Sequence, residues 1–218
     1  MYAVEPPLSP EPMERKAVAE SLERHLSTRT WGSELAIGTE LLHAREFAGA
    51  IEHLAVAESL NPRSADVAAL QSNAYHASRM YEAAALACLR AMTLGGATAQ
   101  HYAQLGRIRF MQGRFRDASG SFESAVRMDP TDTGSLYLLG RSFYEAGDFR
   151  AAVSPLLTYL RTDPGFKDGR RMAALALAHS GDYSSAVALL RQGPRGAQAA
   201  PSALDVLADS LARARGGR

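Results

Sequence analysis

The chain has 218 residues, and its 24 basic and 23 acidic side chains leave a formal net charge of +1. This balance argues against binding of nucleic acid or an anionic membrane through overall charge. Apolar residues make up 46% of the chain and aromatic residues only 7%, which predicts a core built mainly from Ala and Leu. No apolar run approaches the roughly 18–20 residues of a membrane-spanning helix, and the first residues do not resemble a signal peptide. We therefore expect a cytoplasmic protein without direct membrane insertion.

Residues 1–30 are predicted to form a lead-in to the rest of the chain. Residues 1–13 are rich in proline, which predicts a flexible segment. Residues 14–27 place Val18, Leu22 and Leu26 at spacings of four, which predicts an amphipathic helix with a narrow apolar stripe. We expect this stripe to cap the first repeat, since repeat arrays need covered ends. Docking of the stripe on another subunit is the alternative.

From residue 31 onward, the same residue types return every 34 residues. A small residue, an aromatic ring nine positions later and an alanine three positions after the ring define each copy. The small residues are Gly38, Ser72, Gly106, Gly140 and Ala174; the rings are Phe47, Tyr81, Phe115, Phe149 and Tyr183; the alanines are Ala50, Ala84, Ala118, Ala152 and Ala186. This period predicts five helical hairpins, at 31–64, 65–98, 99–132, 133–166 and 167–193.

The recurring residues suit the two helices of a hairpin. Small residues allow two helix axes to cross at the close distance of about 8–10 Å. Asp148 and Asp182 precede two of the rings and are predicted to cap the second helix by accepting a hydrogen bond from a free N–H. Prolines are expected to end second helices, and glycines are expected in the turns within hairpins, where a positive φ is often required. The prolines are Pro62, Pro130 and Pro164, and the glycines are Gly113, Gly147 and Gly181.

Residues 194–218 are predicted to contain a linker, a capping helix and a basic tail. Ser202 and Asp205 have the spacing of a capping box, and Leu204, Leu207 and Leu211 form one apolar face. The tail is short and rich in glycine, which argues against an arm that binds nucleic acid.

With these repeating positions, the stretch 31–193 resembles the tetratricopeptide-repeat family. The resemblance implies an all-α fold, a right-handed superhelix of about five helical hairpins, to which we add one helix at each end. It also implies a concave groove lined by the first helix of each hairpin, which is the usual binding face of such arrays.

Positions five, nine and twelve of the hairpins place arginines beside aromatic rings in this predicted groove. Arginine offers a fixed fork of donors to carboxylates, and a neighbouring ring can bury an apolar side chain. We therefore predict a partner-binding site for an extended or helical segment with acidic and hydrophobic residues. The eight predicted groove residues are Asn73, His76, Arg107, Phe110, Tyr137, Arg141, Tyr144 and Arg171.

Structural roles for the same residues are the alternative. Arg141 could pair within its helix with Glu145, and Tyr144 could pack between adjacent hairpins. Cys88, the single cysteine, occupies a position filled by Leu54 and its equivalents in other repeats. We interpret it as a buried apolar side chain rather than a reactive thiol.

No catalytic or metal-binding signature occurs in the sequence. Phosphate loops, HExxH and CxxC motifs and nucleophile elbows are absent, and the histidines lack ligand spacing on any one helix. We therefore expect a non-enzymatic protein with no cofactor and no metal site.

One subclass of the family clamps the carboxylate at the end of chaperone tails. In the best alignment, the five clamp positions hold Ala69, Asn73, Gln104, Gly134 and Leu138, and only Asn73 matches. This comparison disfavours a chaperone-tail adaptor.

The combined pattern predicts a protein–protein interaction scaffold or adaptor within a bacterial assembly. A secretion chaperone resembling those of type III translocators is the second hypothesis, ranked lower because that group usually has about three repeats and an acidic balance. The third is a self-assembling scaffold that forms homo-oligomers through its terminal helices.

Overall fold

The structure is a computed structural model that describes residues 29–163, 167–191, 209, 210 and 213. The chain divides into two compact units, the first ending at Arg63 and the second beginning at Ser64. The predicted helix over 14–27, the linker and most of the predicted capping helix near the C-terminus lie outside the described residues. Asp209, Ser210 and Arg213 are helical.

The described part of the first unit is one hairpin, made of α1 (Trp31–His43) and α2 (Phe47–Leu60). Gly38 lies at the crossing of these helices, where an added Cβ would come within 2.8 Å of Leu54. The carboxylate of Glu34 is buried and accepts hydrogen bonds from Arg29 Nε at 2.5 Å and Nη2 at 3.1 Å. It also lies 2.8 Å from Nδ1 of His53 on α2. This polar cluster ties the start of α1 to the middle of α2.

The second unit contains four hairpins in chain order. Its described helices are α3 (Ala65–Ala77), α4 (Tyr81–Gly95), α5 (Ala99–Met111), α6 (Phe115–Met128), α7 (Thr133–Glu145), α8 (Phe149–Thr162), α9 (Lys167–His179) and α10 (Tyr183–Arg191). Each helix packs against the next along the chain, and the first helices α5, α7 and α9 also contact one another in succession. First helices of neighbouring hairpins therefore lie side by side.

A capping residue begins the first helix of four hairpins at intervals of 34 residues. Thr30, Ser64, Thr98 and Asp132 each accept a hydrogen bond from the backbone N–H three residues later, at 3.1–3.2 Å. Such a bond satisfies one of the free donors at a helix start. The sequence analysis did not single out this column, although its side chains are typical N-cap residues.

The small residues lie where the helices cross, as predicted. A Cβ added to Gly106 would come within 2.8 Å of the buried Phe122 ring. At the equivalent position, the hydroxyl of Ser72 donates to the backbone carbonyl of Ala84 at 3.0 Å, so a small polar side chain is accommodated there. Buried alanines and one large side chain per crossing form the core, as in the cluster of Ala118 and Phe122.

The second helices begin as the sequence predicts at two places. Asp148 accepts from the N–H of Ala151 at 3.2 Å, and Asp182 accepts from the N–H of Ser185 at 3.0 Å. The turn before each second helix contains a left-handed residue. Glycine takes this conformation in three hairpins, whereas Arg45 and Arg79 take it in the first two, with φ of 64° and 61°. A side chain is disfavoured in this conformation, so these arginines are locally strained.

Cys88 is a core residue, as interpreted from the sequence. Its side chain is almost fully buried, and Sγ lies 3.4 Å from the backbone carbonyl of His101. Burial raises the pKa of the Cys88 thiol, which disfavours the reactive thiolate.

The all-α fold class predicted from the repeats is confirmed. Every residue that the structure assigns to regular secondary structure is helical, and the described helices pair into hairpins. Within the same residues, no helix is both long enough and apolar enough to cross a membrane.

Candidate partner-binding face

All eight predicted groove residues belong to first helices of the second unit. Two lie on α3, two on α5, three on α7 and one on α9. Because α5, α7 and α9 pack side by side, equivalent positions on successive helices become neighbours. We call the surface formed by these eight residues the first-helix face.

Asn73 and Arg107 meet at one end of the first-helix face. Both line a small cavity of about 120 Å³ between α3 and α5, together with Gln104. Within the described part of the chain, Arg107 forms no ion pair, and the Asn73 side chain is exposed to solvent. Guanidinium and amide donors that converge in this way can bind a carboxylate.

His76 is half-buried beside these donors. Burial lowers the pKa of its imidazole, and the positive charge of Arg107 lowers the pKa further. The ring also packs against Tyr81 of its own hairpin, with centroids 6.0 Å apart. At neutral pH, the neutral form of His76 therefore predominates, and Arg107 provides the positive charge at this end.

Arg141 lies over the ring of Phe110 from the preceding hairpin. Its guanidinium carbon is 4.9 Å from the ring centroid, which is within the range of a cation–π interaction. The predicted ion pair with Glu145 is present but long, at 3.8 Å between Nε and Oε1. Nε is buried and makes no hydrogen bond to any described residue. The Arg141 side chain as a whole is 40% exposed, so the Phe110 ring holds a guanidinium that stays partly accessible to a ligand.

Tyr144 has the structural role that the alternative interpretation gave it. Its ring packs edge-on against Phe149, with centroids 5.2 Å apart, and against His179 of the next hairpin at 5.8 Å. Burial raises the pKa of its hydroxyl. Tyr144 remains partly exposed, so part of its ring is accessible on the first-helix face.

Tyr137 and Arg171 complete the predicted set with different surroundings. The Tyr137 ring lies 5.4 Å from the ring of Tyr159 on α8, so it belongs largely to the packing between α7 and α8. Arg171 is exposed and pairs weakly with Asp168 at 3.7 Å. Tyr137 is thus largely occupied by packing within its hairpin, whereas Arg171 is exposed and its ion pair is weak.

The structure places five of the predicted residues in two groups. At one end, Asn73 and Arg107 line the same cavity, and the charge of Arg107 lowers the pKa of His76. In the other group, the Phe110 ring at position twelve of one hairpin contacts Arg141 at position nine of the next. This contact was not predicted from the sequence, because it depends on the stagger between hairpins.

Three of the five chaperone-clamp positions meet in the structure. Ala69, Asn73 and Gln104 line the same cavity. The cavity therefore contains two amide side chains at positions used by that subclass, without its lysines. Across the described residues, no group of three metal-ligating side chains occurs.

A second concave region was not predicted from the sequence. A pocket of about 810 Å³ is lined by residues of α8, by Arg170 of α9 and by Leu189 of α10. Arg170 is only 7% exposed. The three preceding hairpins have Ala68, Tyr102 and Leu136 at this repeat position, so the change to a charged residue was the signal that could have revealed it.

The comparisons with known proteins agree with the repeat pattern. A tetratricopeptide-repeat family model matches residues 103–165 and 137–203. Curated proteins gave no sequence match.

Solved structures resemble this chain in fold at low sequence identity. A MamA protein superposes with a TM-score of 0.69 at 19% identity, covering 74% of this chain and 88% of its own. YrrB, described as a TPR protein with an unusual peptide-binding site, has a TM-score of 0.68 at 18% identity, covering 85% and 91%. MamA from Desulfovibrio magneticus RS-1, residues 41 to the end, has a TM-score of 0.69 at 13% identity, covering 85% and 96%. The matched stretch, residues 103–203, belongs to the tetratricopeptide-repeat family, and the hairpins before it repeat the same 34-residue pattern.

Proposed function

We propose that this chain is a non-enzymatic scaffold that binds an acidic and apolar segment of a partner protein on the first-helix face. The contact of Arg141 with the Phe110 ring carries the proposal, together with Arg107 beside the amides of Asn73 and Gln104. Arginines on two successive first helices, with an aromatic ring between them, suit a ligand that has two carboxylates and apolar side chains along its length.

Each part of the face has a chemical role in this proposal. Arg107, Asn73 and Gln104 bind one carboxylate at the small cavity. The exposed parts of Phe110 and Tyr144 contact apolar side chains, and Arg141 binds a second carboxylate from its position over the Phe110 ring. Since packing within the hairpins already holds these rings, little side-chain entropy is lost on binding.

The fold neighbour YrrB supports a peptide as the ligand, because its description reports a peptide-binding site in a protein of this fold. We expect a Kd in the micromolar range, or about −8 kcal/mol, because an unstructured ligand must be ordered on binding. The proposal assigns the chain to a cytoplasmic bacterial assembly and gives it no cofactor.

The test uses an array of 12-residue peptides in which Asp or Glu alternates with Leu, Ile or Phe. Peptides that bind on the array are measured in solution by fluorescence anisotropy. We expect the double variant Arg107→Glu and Arg141→Glu to abolish binding while the helical circular dichroism stays unchanged. The double variant Arg63→Glu and Arg127→Glu is the matched control, because it makes the same charge change at exposed arginines outside the face.

Equal binding by the groove variant and the wild type would remove the arginines from the mechanism. Loss of binding in the control variant as well would show that overall charge, and not the first-helix face, attracts the peptides.

The two other hypotheses predict different behaviour in solution. A self-assembling scaffold gives a molar mass that rises with concentration in light scattering after size exclusion, whereas a monomeric adaptor does not. A secretion chaperone holds a long unfolded segment, so its affinity for peptides increases steadily with peptide length beyond 12 residues.

A further inference from the structure

The pocket of about 810 Å³ in the last two hairpins is separate from the first-helix face. It is formed by α8, by Arg170 near the start of α9 and by Leu189 of α10, and it includes none of the eight predicted groove residues. A volume of this size falls within the range of ligand-binding clefts in proteins.

The charged side chains among the described lining residues of this pocket are all arginines. Three arginines line it, and the described lining residues include no carboxylate. Arg150 and Arg161 form no ion pair with any described residue. Arg161 Nη2 donates to Thr158 Oγ1 at 3.0 Å, which holds its guanidinium at the pocket edge. Arg170 is only 7% exposed and interacts within the protein, so the two exposed arginines are the ones that favour an anionic ligand.

Between the arginines, the pocket wall is apolar. Leu157 is 36% exposed although it is a large aliphatic side chain. Leu160 and Leu189 line the pocket from two different helices, and both pack against the core cluster around Leu156. Packing against the core thus holds the pocket wall in place, and part of its apolar surface is accessible to a ligand.

The spacing of the arginines sets the length of the ligand. Arg150 and Arg161 stand at opposite ends of the pocket-lining part of α8, eleven positions apart in the sequence. At a rise of 1.5 Å per residue, they are separated by about 16 Å along the helix axis. An extended peptide covers this distance with about five residues. A small aliphatic carboxylate has one charged end and cannot contact both arginines.

We propose that this pocket is a second docking site, which binds a short segment of a partner protein with carboxylates at both ends and aliphatic residues between them. Carboxylates contact Arg150 at one end and Arg161 at the other, and aliphatic side chains contact Leu157, Leu160 and Leu189. Together with the first-helix face, the pocket would let one molecule hold two partner segments at once, so this inference extends the proposed function.

The probe is an array of seven-residue peptides with Asp or Glu at both ends and Leu, Ile, Met or Phe in the centre. Peptides that bind are labelled and measured by anisotropy against the full chain. We expect the double variant Arg150→Glu and Arg161→Glu to raise Kd by about tenfold or more, since two attractions become repulsions. The control variant Arg127→Glu, on the exposed end of α6, should leave Kd unchanged. Arg150 and Arg161 are exposed, so their replacement spares the core.

A separate comparison distinguishes this site from the first-helix face. Binding of the seven-residue peptides should be unchanged by Arg107→Glu with Arg141→Glu, so that either proposal can fail while the other stands. Peptides with acidic residues at one end only should bind more weakly than those with both.

Four outcomes would overturn the inference. The first is an array without any binding peptide, and the second is a Kd that Arg150→Glu with Arg161→Glu leaves unchanged. The third is displacement of the peptide by octanoate that binds with equal affinity. The fourth is a molar mass that doubles as the protein concentration rises, in a dimer that Arg150→Glu with Arg161→Glu disrupts. The third outcome would assign the pocket to small carboxylates, and the fourth would assign it to a second copy of the chain.

Discussion

The guanidinium carbon of Arg141 lies 4.9 Å from the centroid of the Phe110 ring, and the two residues come from the first helices of successive hairpins. The contact joins position nine of one hairpin to position twelve of the one before it. It therefore links two repeats through their exposed face and holds a positive charge where a ligand can reach it.

A double-mutant cycle measures this link. Phe110→Leu and Arg141→Gln, made singly and together, should give a coupling of about 0.5–1 kcal/mol in the free energy of urea unfolding, the range of an exposed cation–π pair. Phe110→Leu alone should also cost stability, because the Phe110 ring packs edge-on against Phe115 at 5.1 Å. A coupling of zero within error would mean that the two side chains stack without energetic benefit.

The helix crossing in the third hairpin should not tolerate one additional carbon. Gly106→Ala would place a Cβ 2.8 Å from the Phe122 ring, so we expect it to lower the free energy of unfolding by about 1–3 kcal/mol. Gly120→Ala is the matched control, because Gly120 is also inside a helix but has nothing within 4 Å of an added Cβ. Gly120→Ala should raise the free energy of unfolding by up to about 1 kcal/mol, because alanine has a higher helix propensity than glycine. Equal effects of the two substitutions would contradict the tight crossing.

Replacing the left-handed turn residue of the second hairpin with glycine should increase the stability of the protein. Arg79 has φ of 61°, whereas Gly113 takes the same conformation one repeat later. Glycine removes the backbone strain of the folded state, and this gain is larger than the free-energy cost of the extra conformational entropy of the unfolded chain. Arg79→Gly should therefore stabilise the protein by about 0.5–1 kcal/mol. The reciprocal change, Gly113→Ala, should destabilise it by about 1 kcal/mol. Chemical denaturation checks both, and a loss of stability in Arg79→Gly would contradict the assigned strain.

The buried carboxylate of Glu34 should make stability depend on acid pH. Its hydrogen bond from Arg29 lowers its pKa from an ordinary 4.5 to about 2 in the folded protein. Because the folded pKa is depressed, this stabilisation is complete above about pH 4.5 and is lost as the pH falls towards 2. At neutral pH, Glu34→Gln should lower the free energy of unfolding by about 1.5–3 kcal/mol, the range for hydrogen bonds to charged groups.

Thermal unfolding between pH 2.5 and 7 tests this dependence. Glu34→Gln should show a smaller decrease in Tm between pH 4.5 and 2.5 than the wild type. Glu52→Gln, at an exposed carboxylate on α2 of the same unit, should keep the slope of the wild type. Parallel plots of Tm against pH for all three proteins would show that the ionisation of Glu34 does not contribute to the stability of the fold.

Several features of the candidate sites could not be predicted from the sequence. Arg107 and Phe110 were identified from their repeat positions alone, because each projects from a first helix whose register the 34-residue period defines. The contact between Phe110 and Arg141 depends on the stagger of neighbouring hairpins, which the period does not specify. Likewise, the pocket beside Arg170 depends on how α8, α9 and α10 diverge.

The spacing of residues along the chain is sufficient to predict the hairpins. Small residues at the crossings, a ring at the start of each second helix and a glycine in three of the turns all act within a single hairpin. Which side chains remain available to a partner depends instead on the packing of the helices. Tyr137 packs on Tyr159 and Tyr144 packs on His179, whereas Arg107 stays free of ion pairs within the described residues. These differences arise from contacts with neighbouring helices, and a repeat pattern that is the same in every hairpin contains no information about them.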